Sequence, residues 1–191
     1  ISNPINNLSN KIELFLKIKT KFKKKIIGTW ENPTSYINIL DQMKSYFKDE
    51  RFKLPDYANN KKYICIHVRR GDFLSDRDHI NGAFSNFSIV NFIIKSLNIL
   101  PSEFASLPII VTTEDIDWTN SWIKLLEKKF KKEVLVCNND SLTDWYINKN
   151  AALNIISNST FSYTAALLNN FSADNKLKCI VPQWIRNNQS S

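Results

Sequence analysis

Six short apolar, β-rich runs punctuate the chain: Ile26-Ile27, Tyr63 to Val68, Pro108 to Thr112, Val134 to Cys137, Leu153 to Ile156 and Cys179 to Val181. Within them apolar residues follow one another instead of alternating with polar ones, the pattern of strands covered on both faces. Between the runs, apolar residues recur at helical spacing: Tyr36, Ile37, Leu40, Met43, Tyr46 and Phe47; Ile89, Phe92, Ile93 and Leu97; Trp118, Trp122, Leu125, Leu126 and Phe130. Strand alternating with helix predicts one three-layer α/β/α domain with a mostly parallel sheet over residues 26–191. The first 25 residues break the pattern. There Lys17, Lys19, Lys21, Lys23, Lys24 and Lys25 interleave with Leu16, Ile18 and Phe22, which fits a solvated basic arm or edge strand, or a patch for a membrane or polyanion.

Composition narrows the picture. Of 191 residues, 43% are hydrophobic and 12% aromatic, enough to fill one sizeable core, and no repeat or linker interrupts it. The formal charge of +8, from 26 Lys and Arg against 18 Asp and Glu, favours an anionic partner without choosing between nucleotide, nucleic acid and acidic membrane. Cys65, Cys137 and Cys179 each fall inside an apolar run, as buried reduced thiols do, which points to a reducing compartment. Sequons such as Asn86-Phe87-Ser88 and Asn170-Phe171-Ser172 arise by chance in a chain this rich in Asn and Ser. No apolar stretch approaches the roughly 18–20 residues that cross a bilayer, so the expectation is a cytoplasmic protein, with Lys17 to Lys25 able to touch the inner face of an acidic membrane. The chain opens on Ile1, which leaves processing, trimming or a fragment open.

Glycine occurs only at Gly28, Gly71 and Gly82, so neither GxGxxG nor a P-loop is present and phosphate must be held by other means. Three segments offer such means. His67-Val68-Arg69-Arg70-Gly71-Asp72-Phe73 leaves a strand at its carboxyl end, where open α/β sheets gather ligands; two guanidinium groups there form a fork suited to a diphosphate. The alternative is that Arg69 and Arg70 pair with carboxylates and that His67 is a satisfied buried histidine. Ile156-Ser157-Asn158-Ser159-Thr160-Phe161-Ser162 runs from strand into helix, placing hydroxyls and backbone N–H groups as an anion seat, or as plain helix capping. Thr113-Glu114-Asp115-Ile116-Asp117-Trp118 contains a DxD pattern, which in many glycosyltransferases holds a metal and a diphosphate; acidic residues also suit a helix N-terminus without any metal. Asp144 alone reads as an exposed helix carboxylate.

In this order the segments resemble glycosyltransferase family 11, the α-1,2-fucosyltransferases. His67 to Phe73 matches the family's HxRRGD(Y/F) motif, shared with α-1,6- and protein O-fucosyltransferases; Thr113 to Trp118 is similar to its S-D-D-x-x-W segment; and Ile155 to Ser162 resembles its I-x-(A/S)-N-S-(S/T)-F-S block. Gly28-Thr29-Trp30-Glu31 is similar to G-Y-(F/W)-Q-S, and Val181-Pro182-Gln183-Trp184 to the P-x-x-W ending. Two departures stand out. The G-G-x-G-N-Q loop of the family's first half has no counterpart, so the chain looks like the carboxy-terminal portion of a longer enzyme or a shortened descendant. After Phe161-Ser162, Tyr163-Thr164-Ala165-Ala166-Leu167-Leu168 replaces W-W-(G/A)-A-W-L, which removes aromatics from that helix.

The resemblance implies the Rossmann-like, donor-binding half of a GT-B enzyme that moves L-fucose from GDP-fucose to a hydroxyl of a galactose-terminated glycan, with inversion and with neither metal nor cofactor. It implies His67 and Asp144 at the guanosine, Arg69 at the diphosphate with Arg70 and Asp115 beside it, and Ser157, Asn158, Ser159, Thr160 and Phe161 on the other side. Arg69 and Asp72 are the candidate catalytic pair, Asp72 as the base for the incoming hydroxyl or, equally, as a residue that orients Arg70. Residues 1–25 are then a basic arm or a remnant of the preceding half. A catalytically silent nucleotide- or glycan-binding domain is the alternative. A nucleic-acid-binding protein is disfavoured by the absence of any recognised module, and adhesion through Arg70-Gly71-Asp72 by its closeness to a core strand.

Overall fold

The computed structural model describes residues 52–70, 88–157, 159–169 and 179–182. The predicted elements at Ile26-Ile27 and Tyr36 to Phe47, and the basic arm, lie outside the described residues. The order is β1 (Ile64–Val68), α1 (Ile89–Asn98), a 3-10 turn (Ser102–Phe104), β2 (Ile109–Thr113), α2 (Ile116–Phe130), β3 (Val134–Cys137), α3 (Ser141–Asn150), β4 (Leu153–Ile156), α4 (Thr160–Leu167) and β5 (Cys179–Ile180). Strand and helix alternate throughout, as the runs predict. Helix α3 is expected only as the helix carrying Asp144, because its apolar residues show no helical stripe.

The five strands form one sheet in the order β3-β2-β1-β4-β5, every neighbouring pair parallel. The chain steps outward from β1 through β2 to β3, then crosses back to β4 on the other side of β1. That reversal makes the β1/β4 seam a topological switch point, where the connections leave in opposite directions and where open α/β sheets form their ligand crevices.

Alternating residues of each strand face opposite layers. Ile64, Ile66, Val68, Ile109, Val111, Leu153 and Ile155 pack with Ile93 and Leu97 of α1 and Trp122, Ile123 and Leu126 of α2. On the other face Cys65 and Ile110 meet Ile147 of α3, while Trp145 and Tyr146 pack with Ala165 of α4 and Leu168 at its end. Strands β1, β2 and β4 are buried at every residue, and β3 is a half-buried edge with Leu135 exposed. The three cysteines are free thiols, Cys65 buried and the other two half-buried. Among the described residues no helix is long and apolar enough to cross a membrane.

Candidate functional site

Each loop at the carboxyl edge carries part of the site. The first two residues beyond β1 are staked from both sides: Arg69 N donates to Ser157 Oγ at 2.9 Å, across the seam towards β4, and Arg70 N donates to Glu114 Oε1 at 2.7 Å, beyond β2. Ser157 N also donates to His67 O at 3.0 Å, so Ser157 extends the β1/β4 ladder past its end. The Arg69 guanidinium Nε lies 3.9 Å from Glu114 Oε1, with its side chain about a third exposed (31%).

Arg70 is engaged differently. Its Nε donates to Asp115 Oδ2 at 3.0 Å, and its guanidinium carbon sits 3.8 Å over the Trp118 ring. Asp115 in turn caps α2, accepting Trp118 N at Oδ1 at 3.1 Å. Both Asp115 oxygens therefore have donors, as the helix-start reading of this segment anticipates.

Beside the seam, His67 is buried and its ring lies 5.2 Å from that of Phe161 on α4. Burial, reinforced by the Arg69 charge, pushes the imidazole down to about 3, so His67 is neutral at physiological pH. Its Nδ1 has no hydrogen-bond partner among the described residues, so it is not the satisfied core histidine of the bland reading. At the start of α4, Ser159 occupies the N-cap position with extended backbone, yet its side chain makes no capping bond. Plain capping does not account for that hydroxyl.

Beyond β3, Asp144 corrects an expectation: it is a buried carboxylate, only 8% exposed, rather than a solvated one. Its Oδ1 accepts Asn139 Nδ2 at 2.8 Å, and Asn139 also bonds the Tyr57 hydroxyl. Burial raises Asp144 to about 6; Asn139 holds it below what burial alone would give, while Asp140 and Glu114 push it up. Burial likewise pushes the Tyr57 hydroxyl up to about 12.

The sequence-predicted residues thus gather along the strands' carboxyl edge, His67, Ser157, Ser159, Thr160 and Phe161 at the β1/β4 side and Arg70 with Asp115 at the β1/β2 side, while Arg69 spans the two, its N bonded to Ser157 and its Nε 3.9 Å from Glu114. Asp144 sits at the head of α3. Asp72 and Asn158 lie outside the described residues. Sequence reasoning missed Asn139 and Tyr57, because an asparagine in a chain full of them carries no local signal, and Tyr57 lies 82 residues from its partner. Glu114 and Trp118 were visible only as motif letters. Among the described residues no group of three His, Cys, Asp or Glu side chains is arranged to hold a metal ion.

The chain is similar to an α-1,2-colitosyltransferase of Escherichia coli, 24% identical over 168 residues that cover 85% of this chain and 56% of the relative. It therefore spans about half the length of the curated relative it matches. No solved structure matches it. The family model described as glycosyl transferase family 11 matches residues 7–187, nearly the whole chain, and the protein belongs to that family.

Proposed function

We propose that this chain binds the nucleotide-sugar donor of an inverting, metal-independent glycosyltransferase that moves L-fucose from GDP-fucose to a glycan hydroxyl. The observation that carries the reading is the bond from Arg69 N to Ser157 Oγ. It ties the backbone at the end of β1 to the residue that follows β4, two positions before Ser159 and the start of α4. Breaking a sugar–phosphate bond builds negative charge on the departing diphosphate. Fixed guanidinium, hydroxyl and helix N-terminal N–H donors meet that charge without reorganising as it develops. The guanine base presents N–H donors that the carboxylate of Asp144 could accept, and the neighbouring rings of His67 and Phe161 offer apolar surface to a base. The α-1,2 and colitosyl specificity in the relative's name makes colitose the second donor sugar to test.

Calorimetric titration with GDP-fucose, GDP-mannose and UDP-galactose tests nucleotide and sugar class together. We expect guanine-dependent binding that Arg69→Lys weakens roughly ten- to a hundred-fold, since a point charge loses one of two parallel charge-assisted hydrogen bonds worth about 1.5–3 kcal/mol. Arg69→Ala should cost more. A lowered melting temperature with unaltered nucleotide affinity would make Arg69 structural and sink the donor site. In a second reading this chain binds donor without transferring sugar. A fucosyl-transfer assay run beside the titration separates the two.

A further inference from the structure

We infer that Asn139, anchored by Tyr57, is the positioning residue that orients the Asp144 carboxylate for the nucleotide base of the donor. This rests on the reading of Asp144 proposed above.

A buried carboxylate keeps one aim only if a neighbour fixes it. Among the described residues the side chain that does so is Asn139, whose Nδ2 donates to Asp144 Oδ1 at 2.8 Å, and the Asn139 backbone N–H also favours the ionised carboxylate. The amide has one productive orientation. Tyr57 Oη accepts from the same Nδ2 at 2.9 Å and donates to Asn139 Oδ1 at 3.1 Å. Turned over, the amide would set oxygen against an ionised carboxylate, which has no proton to give. The loop that carries Asn139 is fixed on its far side, where Asp140 caps α3 by accepting Leu142 N, Thr143 N and Thr143 Oγ1. Tyr57 is placed by contacts that do not involve Asn139. Ala58 N and Asn59 N close a turn on Pro55 O at 2.8 and 2.9 Å, Phe52 stacks on Tyr146 at 3.9 Å, and Tyr63 donates to Ile147 O at 2.9 Å. The segment ahead of β1 is thus pinned to α3 on either side of Tyr57 in sequence. Ordering the carboxylate in advance spares the donor the entropy of ordering it on binding.

The titratable groups around Asp144 are Tyr57 ahead of β1, Cys65 on β1, Glu114 beyond β2, Cys137 on β3 and Asp140 at the head of α3. The Thr143 hydroxyl holds Asp140 below the usual carboxylate range, and burial holds Tyr57, Cys65 and Cys137 above theirs. None of these four changes charge between pH 5 and 8, and Glu114 is common to every variant below.

The experiment follows Asp144 twice in the full chain, by NMR of its carboxyl carbon as the free protein is titrated and by calorimetry of GDP-fucose binding across the same pH range. Asn139→Asp is the central variant, because it keeps the shape and replaces the donor nitrogen with an acceptor; Asn139→Ala and Tyr57→Phe accompany it. We expect the Asp144 midpoint to rise from about 6 by about one pH unit in Asn139→Ala, further in Asn139→Asp and by a smaller step in Tyr57→Phe. The midpoint of GDP-fucose binding should rise with it, which weakens binding about three-fold at pH 6.5 in Asn139→Ala. Above that midpoint affinity should stay below the parent's, because the ionised carboxylate is no longer held. An unmoved carboxyl midpoint in Asn139→Asp, a loss of affinity equal at every pH, or a lower melting temperature with the parent's binding profile would make Asn139 a structural loop residue and overturn the inference. If the Asn139 variants do not fold, Tyr57→Phe carries the same two titrations. Failure of the base-site reading gives a different pattern, in which Asp144→Asn binds GDP-fucose as the parent does while the carboxyl midpoint still moves in the Asn139 variants; the inference would then fall with that reading.

Discussion

Asp144 connects burial to recognition at the scale of one carboxylate. Its acidity is weakened from the ordinary value of 3.8 to about 6, chiefly because burial penalises the charge. The folded state therefore holds the proton more tightly than the unfolded chain. The stability this contributes is fully present below pH 3.8 and is lost as pH rises through about 6. A difference of that size corresponds to something on the order of 3 kcal/mol. Thermal melts from pH 4 to 8 should show it, and Asp144→Asn should flatten the profile and melt higher than the parent at pH 7.5. Donor binding should run the opposite way, since only the ionised carboxylate accepts from guanine N–H groups. GDP-fucose affinity should rise between pH 5 and 7 in the parent and be weak and flat in Asp144→Asn. GDP-fucose is the probe because its phosphates are both diesters, whereas the terminal phosphate of GDP itself titrates near 6. His67, at about 3, is silent in this window. Equal GDP-fucose affinity in parent and variant across the range would remove Asp144 from the base site.

Adjacent residues at the end of α2 act on the elements in opposite directions. Lys131 holds the left-handed C-cap conformation at φ 51°, which a side chain with a Cβ adopts at a cost and glycine adopts freely. Lys132 reaches back to the turn before β2, donating to the carbonyls of Phe104, Ala105 and Leu107 at 3.2, 2.6 and 2.8 Å. Lys131→Gly should therefore stabilise by about 0.5–1 kcal/mol, whereas Lys132→Met should destabilise by about 1–2 kcal/mol; urea unfolding of the two variants checks both signs. The same scale shows what was legible in the sequence. β1, β2 and β4 were, because strands covered on both faces must be apolar throughout, and α1 and α2 were, because each lies with one stripe on the sheet. α3 was not. Wedged against both the sheet and α4, it buries Trp145, Tyr146, Ile147, Asn148 and Lys149 in succession. Asn148 tolerates this by donating to Thr112 Oγ1 at 3.0 Å. A helix surrounded in this way shows no amphipathic period, and the exposure of Asp144 was misjudged for the same reason.

At the scale of the whole molecule, strand order and charge point to one prediction. An order of β3-β2-β1-β4-β5 brings Arg69 and Ser159, 90 positions apart in sequence, to the ends of two neighbouring strands, and local motif reading could name the segments without supplying the seam that joins them. The chain carries +8 overall, so an anion is drawn to it from every side, and general attraction has to be told apart from a built site. Ligand that binds only the folded state raises its stability by about 2.7 kcal/mol at a hundred times its Kd. For a chain of this length that amounts to a rise of about 5–10 °C in melting temperature. GDP-fucose should produce such a rise, and it should persist in EDTA, because the positive charge comes from Arg69 and both oxygens of Asp115 are already occupied by Arg70 and α2. A single-stranded oligonucleotide should give a smaller rise that disappears in half-molar salt, where exposed charges are screened within a few Å. If EDTA abolished the GDP-fucose shift and manganese restored it, the Asp115-x-Asp117 pair would be a metal site and the arginine-based account of the leaving group would fall. If the oligonucleotide shift survived salt while the GDP-fucose shift did not, the crevice would be incidental and the basic surface would be the functional feature of the chain.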